Sequence, residues 1–484
     1  MKQRQARGPG PRLGLVPATP AVGPAVGPAV GPAVGLAVGL AGALAVGLTG
    51  CLPDAFEALA DAALVDTYGL RFSSQAEAEV AEALTVPADE EGRGRVLFGD
   101  GASAIGWFGF DAAGDAERRY ATFAELEALA GAPSPTLGAL AVVERPAAVE
   151  GLVGLSASAE LGAVDRVVRF RIADFSRVGE LADDMQVYPW VADPAPALSG
   201  PLAAVELDFA SAVASADLPE VLTITAQGEL IIWDALGSRA SSYAAAREAA
   251  LADDPAAFDG DAAPEGYGLT RCPDLPAKAI AGGALLADRP AAALLLEQSV
   301  VFVGEAEAPV VGLVGAPIYD CALASTSLPG PAESLLVADV DGDGGEDLLV
   351  GSPSEEVVWI YLHAGVGVEQ SGAPDLELRP DPAEQGGFGS ALALVELGGD
   401  APAVIAVSAP NTLVEGKPEV GRVHIFDAGS GELLRTIEDL DPQAESHHGL
   451  GVHGVELEGR EELIVTGSHE LRVHWSILDG DPRP

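Results

Sequence analysis

Three stretches in the last third of the chain repeat the same order of elements, and this recurrence restricts the possible folds more than any other feature. They are Leu335 to Leu362 (LLVADVDGDGGEDLLVGSPSEEVVWIYL), Gly387 to Phe426, and Gly449 to Ile477. In each, an apolar strand comes first, then an acidic, glycine-rich turn. A second strand follows and ends in small residues (LLVGSP, VIAVSAP, LIVTGS). A third alternates and carries an aromatic residue (VVWIY, RVHIF, RVHWSI). Val337, Val395 and Val455 begin matching strands about sixty residues apart, a longer period than the roughly 40 to 50 of most four-stranded repeats. Strand sets this short cannot bury their faces alone, so each must pack on its neighbours.

Weaker copies lie upstream, at Leu140 to Ile172, Leu202 to Trp233 and Ala284 to Val303. Glu144-Arg145-Pro146-Ala147-Ala148 and Asp288-Arg289-Pro290-Ala291-Ala292 stand where the Asp339 copy has its acidic loop. The count is about six units, with a seventh degenerate one within 85–136. Radial closure leaves only short, protected sheet edges. The expected fold class is therefore all-β, a β-propeller of six to seven blades over 137–484. Trp233, Trp359 and Trp475 fall in the same strand of three copies and read as packing between blades.

The copies resemble FG-GAP repeats, the blade units of integrin α-chain propellers and of many bacterial surface proteins. Phe388-Gly389 matches the FG element, and Gly351-Ser352-Pro353 and Ser408-Ala409-Pro410 stand at the GAP element. In the last copy Leu450-Gly451 takes the FG place and Gly467-Ser468 is what remains of GAP. The likeness is good over 335–478 and poor over 137–310.

Residues 339 to 347 read D-V-D-G-D-G-G-E-D. Asp339, Asp341 and Asp343 alternate, so their side chains can converge in a tight loop. Gly342 and Gly344 permit positive φ. Gly345 offers a backbone carbonyl and Asp347 a closing carboxylate. Hard oxygen ligands at this spacing suit Ca2+. An EF-hand would need Glu at the twelfth position, where Val350 stands, and helices on both sides; these flanks read as strands. The D-x-D-x-D-G-x-x-D pattern of the β-hairpin calcium loop in the resembled family is complete here. The competing reading is a solvated acidic turn.

The start of the chain reads as an export signal. Lys2 to Arg12 is basic, Ala33 to Leu48 is apolar, and Leu48-Thr49-Gly50-Cys51 resembles a lipobox. The expectation is a lipoprotein signal over 1–50 and lipidation of Cys51, with two acyl chains giving stable anchoring. The segment 21–35 is a tetrapeptide AVGP repeat whose prolines no helix tolerates. Sixteen or so small residues are short for a membrane span, which needs roughly 20. The other cysteines, Cys272 and Cys321, form an even pair in an exported chain and suggest a disulfide; two free buried thiols are the alternative. Residues 51–136 read as a small mixed α/β N-terminal region, with Ala/Glu-rich helical runs at 54–64, 74–84 and 123–131.

The formal net charge is -47, from 73 acidic and 26 basic residues. Such a surface repels nucleic acid and attracts cations, so no nucleic-acid partner is expected. All seven histidines lie in the last third and read as polar surface residues. There is no G-x-S-x-G elbow, P-loop, zincin motif or C-x-x-C, so no catalytic residue is assigned and an enzyme is not expected. The functional expectation is a monomeric, calcium-stabilised propeller, lipid-anchored in the cell envelope at the outer membrane or cell surface, that binds a protein or glycan. The alternatives are a propeller-type polysaccharide hydrolase or lyase, and a scaffold of an outer-membrane assembly.

Overall fold

The computed structural model describes the strands from Thr67 to His474, most connections after Cys272, and side chains from Pro201 onward with gaps. The chain divides into the units Met1–Ala62 and Ala63–Pro484, and every described residue belongs to the second. The signal segment, Cys51 and Trp475 lie outside the described residues.

Short strands separated by turns give seven four-stranded antiparallel sheets. After β1 (Thr67–Arg71), the first sheet holds β2 (Ala83–Val86), β3 (Arg95–Gly99), β4 (Ile105–Phe110) and β5 (Ala116–Ala121). The second holds β6 (Thr136–Arg145), β7 (Ala148–Ser156), β8 (Arg166–Arg171) and β9 (Gln186–Val187). The third holds β10 (Leu198–Val205), β11 (Glu220–Thr225), β12 (Leu230–Ala235) and β13 (Tyr267–Cys272). The fourth holds β14 (Ala279–Gly283), β15 (Ala291–Leu295), β16 (Ser299–Glu305) and β17 (Tyr319–Ser327). The fifth holds β18 (Ser334–Ala338), β19 (Asp347–Ser352), β20 (Val357–Tyr361) and β21 (Leu376–Leu378). The sixth holds β22 (Leu392–Val395), β23 (Val404–Ala409), β24 (Arg422–Asp427) and β25 (Leu433–Glu438). The last holds β26 (Gly451–Leu457), β27 (Arg460–Gly467) and β28 (Glu470–His474), and β1 completes it as the outermost strand.

The first strands of successive sheets are neighbours in the cyclic order β2, β6, β10, β14, β18, β22, β26 and back to β2. The fold is an all-β propeller. Against the expected six to seven blades, seven sheets are traced by backbone. Five of them, from the β10 sheet to the β26 sheet, are also described by side chains. Strand β1 pairs with β28 in register Thr67↔His474 to Arg71↔Glu470, so the start of the ring supplies the edge of its last sheet.

Sheets stack face to face, and the second strand of each lies between two neighbours. That is why β11, β15, β19 and β23 are buried at every position and read as nearly unbroken apolar runs. Leu349, Val358, Ile360, Ile405, Val407 and Phe426 interleave between the fifth and sixth sheets. Each such side chain contributes roughly 1.5–3 kcal/mol of transfer free energy. Trp359 is buried among Phe302, Ala332 and Tyr361 between the fourth and fifth sheets. The side chain of Trp233 is outside the described residues.

The expectation of a mixed α/β N-terminal region is corrected. Among the described residues there is no helix, and those between 67 and 121 are strands: β1 joins the last sheet and β2–β5 form one of their own. Of the helical run 74–84, Ala83 and Leu84 belong to β2; the other helical runs lie outside the described residues. Val96 and Phe98 in β3 and Trp107 and Phe108 in β4 are residue types that favour paired strands.

Cys272, at the end of β13, is bonded to Cys321 in β17, with Cα atoms 5.5 Å apart. The bridge ties the outer strands of the third and fourth sheets.

Candidate functional site

The acidic loop joins β18 to β19, the first and second strands of the fifth sheet. Its flanks are strands, as the sequence indicates. Asp339, Asp341 and Asp347 each place a carboxylate oxygen within 4.8 Å of the others. Asp343 is not in that group; its Oδ1 accepts from the Gly345 N–H at 2.8 Å. Asp339 accepts from two backbone donors, Gly342 N at 2.8 Å and Gly344 N at 2.9 Å. Asp341 Oδ1 accepts from Asp343 N at 3.1 Å. Gly342 and Gly344 take positive φ, 75° and 86°, with open space around them, so conformation alone demands glycine there.

Asp347 differs from its partners. It is fully buried, and its Oδ2 accepts from Val340 N at 2.8 Å. Equivalent positions in two other sheets are also acidic. Val205 pairs with Glu220 and Val455 with Glu462 as Ala338 pairs with Asp347. Glu220 and Glu462 are likewise buried. Glu220 Oε2 accepts from Leu207 N at 2.7 Å, the same bond that Asp347 makes to Val340. A buried carboxylate at the head of the second strand thus braces this turn whether or not an acidic loop precedes it. Among the described residues, carboxylates converge around it only in the fifth sheet, where Asp339 and Asp341 join Asp347.

These donors fit a hard divalent cation: three carboxylates converge, two are solvent-accessible, and the loop backbone is already ordered around Asp339. Asp339, Asp341 and Asp347 would hold it. Of the five predicted ligands, these three converge, while Asp343 accepts from the Gly345 N–H.

Sequence reasoning missed a second constellation. Glu356, at φ 52° in the turn between β19 and β20, reaches the segment that enters the sixth sheet. Its carboxylate accepts from Gly386 N (3.1 Å), Gly387 N (3.0 Å) and Phe388 N (2.8 Å). Three convergent N–H groups form an anion-binding nest, filled here by the protein's own side chain. Other junctions use backbone for the same purpose: Leu275 N donates to Gly228 O, Ala332 N to Glu297 O, and His448 N to Val420 O. The signal for Glu356 was available only as the acid before β20, one of many in so acidic a chain.

The reading of the histidines as surface residues is corrected for three of them. His424, His448 and His474 are buried. Burial holds His424 down to about 4, with the Arg422 guanidinium adding to the effect, and its Nδ1 lies 3.2 Å from Thr436 Oγ1. The chain's acidity hid this, because the histidines occupy apolar positions of strands that read as amphipathic.

No family model matches the sequence, and no curated protein matches it. Among solved structures, the chain is similar to one described as the crystal structure of BBS1N in complex with ARL6DN, soaked with lead. That likeness has 11% identity and a TM-score of 0.46, covering 85% of this chain and 96% of the other. A second, the structure of Dos1 propeller, matches at 11% identity and a TM-score of 0.35, over 68% of this chain and 66% of that one.

Proposed function

We propose that this chain is a calcium-braced, seven-bladed propeller of FG-GAP-like repeats that serves as a binding scaffold for a protein or glycan in the cell envelope. In this reading Cys51 carries the lipid anchor, the protein acts as a monomer without catalytic activity, and the membrane is met through the anchor alone. The observation that carries the proposal is the convergence of Asp339, Asp341 and Asp347 in a hairpin between two strands of a closed ring. The ion would supply the positive charge that offsets three crowded carboxylates, fixing the loop in one geometry. Hydrogen bonds that pre-order Asp339 support it, because they lower the ordering cost of binding. The strong negative charge raises local cation concentration around the whole ring.

Calorimetric titration of Ca2+ into the chelator-stripped full chain tests the metal. Saturable heat, a raised melting midpoint, and loss of both in Asp341→Asn are expected. No heat and an unchanged midpoint would remove calcium from the account.

A further inference from the structure

Strand pairing shows which residues are equivalent at the junctions between sheets. Gly389 N donates to Ser408 O, and Gly449 N donates to Thr466 O. Both glycines have positive φ, 92° and 97°. His448-Gly449 is therefore the counterpart of Phe388-Gly389, two residues before the Leu450-Gly451 that the sequence offers. Val407 pairs with His424 as Val465 pairs with Arg472. Hence His424 corresponds to Arg472 and Phe426 to His474. The trio between the fifth and sixth sheets is Phe388, His424 and Phe426, with Phe388 edge-on to both others. Between the sixth and last sheets the same places hold His448, Arg472 and His474.

The replacements put basic groups in a buried seam. His448 and His474 are 0% and 1% exposed, and their rings meet edge-on at 5.7 Å. Arg472 is 7% exposed and pairs with Asp439, itself buried in the link from β25 to β26, at 2.6 Å. Half-buried Arg435 of β25 faces His474. The groups meeting at the seam are thus His448 from the link, Arg472 and His474 from β28, Arg435 from β25 and Asp439. Next to this seam, His474 pairs across the sheet with Thr67 of β1, the strand that closes the ring.

We propose that His448 and His474 form an acid-sensitive latch at the seam between the sixth and last sheets, beside the strand pair that closes the ring, neutral imidazoles packing there and imidazolium ions forcing the last sheet and β1 away from the sixth. Protonating both rings would set four cationic groups, with Arg472 and half-buried Arg435, around the single buried Asp439 carboxylate. Burial and the neighbouring Arg472 push both histidines well below their ordinary value, His448 to about 3. The sign follows. The unfolded or opened seam binds protons below about 6.5 while the closed seam does not, so closure is complete above that pH and weakens as pH falls through the gap. Phenylalanine fills both places one sheet earlier, which makes it the apolar replacement of matching shape.

The test compares full-length protein with the His448→Phe/His474→Phe variant by thermal melting from pH 7.5 to 4.5, and by hydrogen exchange of the wild type over the same range. The latch predicts a falling wild-type midpoint, at least about half of that fall abolished in the variant, and amides of β26–β28 and β1 exchanging first on acidification. Carboxylate titration is common to both proteins and cancels. Equal pH slopes in the two proteins would overturn the proposal. If the variant fails to fold, exchange decides, and acid-induced exchange spread evenly over all sheets would overturn it.

Discussion

At the scale of single residues, carboxylates in this chain do separate jobs that the sequence alone does not distinguish. Asp341 is exposed and touches only its own loop, whereas Asp347 is buried and carries the Val340 bond. Asp341→Asn is expected to leave the calcium-free unfolding free energy within about 0.5 kcal/mol of wild type. Asp347→Ala is expected to cost about 1–3 kcal/mol even in chelator, since it orphans a buried N–H. Chemical denaturation with and without EDTA reads both. Glu356→Ala opens the nest under Gly386, Gly387 and Phe388 and is expected to cost a similar amount, with exchange rising at those three amides. His424 carries a pH signature of its own. Its value near 4, set by burial and Arg422 against the opposing pull of Glu356, makes its neutral form a source of stability above pH 6.5 that fades towards pH 4. Its NMR shifts should stay constant from pH 7.5 to 5.5; a midpoint near 6.5 would contradict its burial. Spacing made the loop acids legible. Glu356 and the buried histidines were not, because their roles depend on a neighbouring sheet that no local pattern encodes.

At the scale of elements, the order of strands was readable and the register was not. Apolar runs bounded by turns located β18–β20, β22–β24 and β26–β28 within a few residues. Matching Val337 to Val395 and Val455, however, is a one-residue slip, since Ala338 is the residue that pairs at the equivalent place. Such a slip exchanges the two faces of a strand. The shared letters RVH in RVHIF and RVHWS misled in the same way, offset by two residues from the pairing. Identity in short apolar strings is a weak guide where many residues satisfy the same face. The Cys272–Cys321 bond staples β13 to β17 across 49 residues, and by the chain-entropy argument its loss is expected to cost about 3–4 kcal/mol. Cys272→Ser/Cys321→Ser measured by denaturant melting checks this. Equal midpoints for the two proteins would mean that the third and fourth sheets hold together without it.

At the scale of the molecule, the ring closes because a strand from the start of the described chain completes the sheet formed at its end. The period and the strand triplets made a propeller legible, but β1 did not stand out, since five residues flanked by alanine-rich sequence carry little periodic signal. Closure packs every sheet between two others and leaves only short edges. An acid-sensitive seam beside the β1–β28 pair would act on the sheet that closes the ring. Substituting Tyr68→Cys and Val473→Cys, partners in the β1–β28 register, tests closure most directly, with peptide mapping of the oxidised, unreduced full chain. Closure predicts an intramolecular Tyr68→Cys to Val473→Cys bond formed in the native protein at high yield alongside Cys272–Cys321. Cross-links found only between molecules, or none until the protein is unfolded, would contradict the ring.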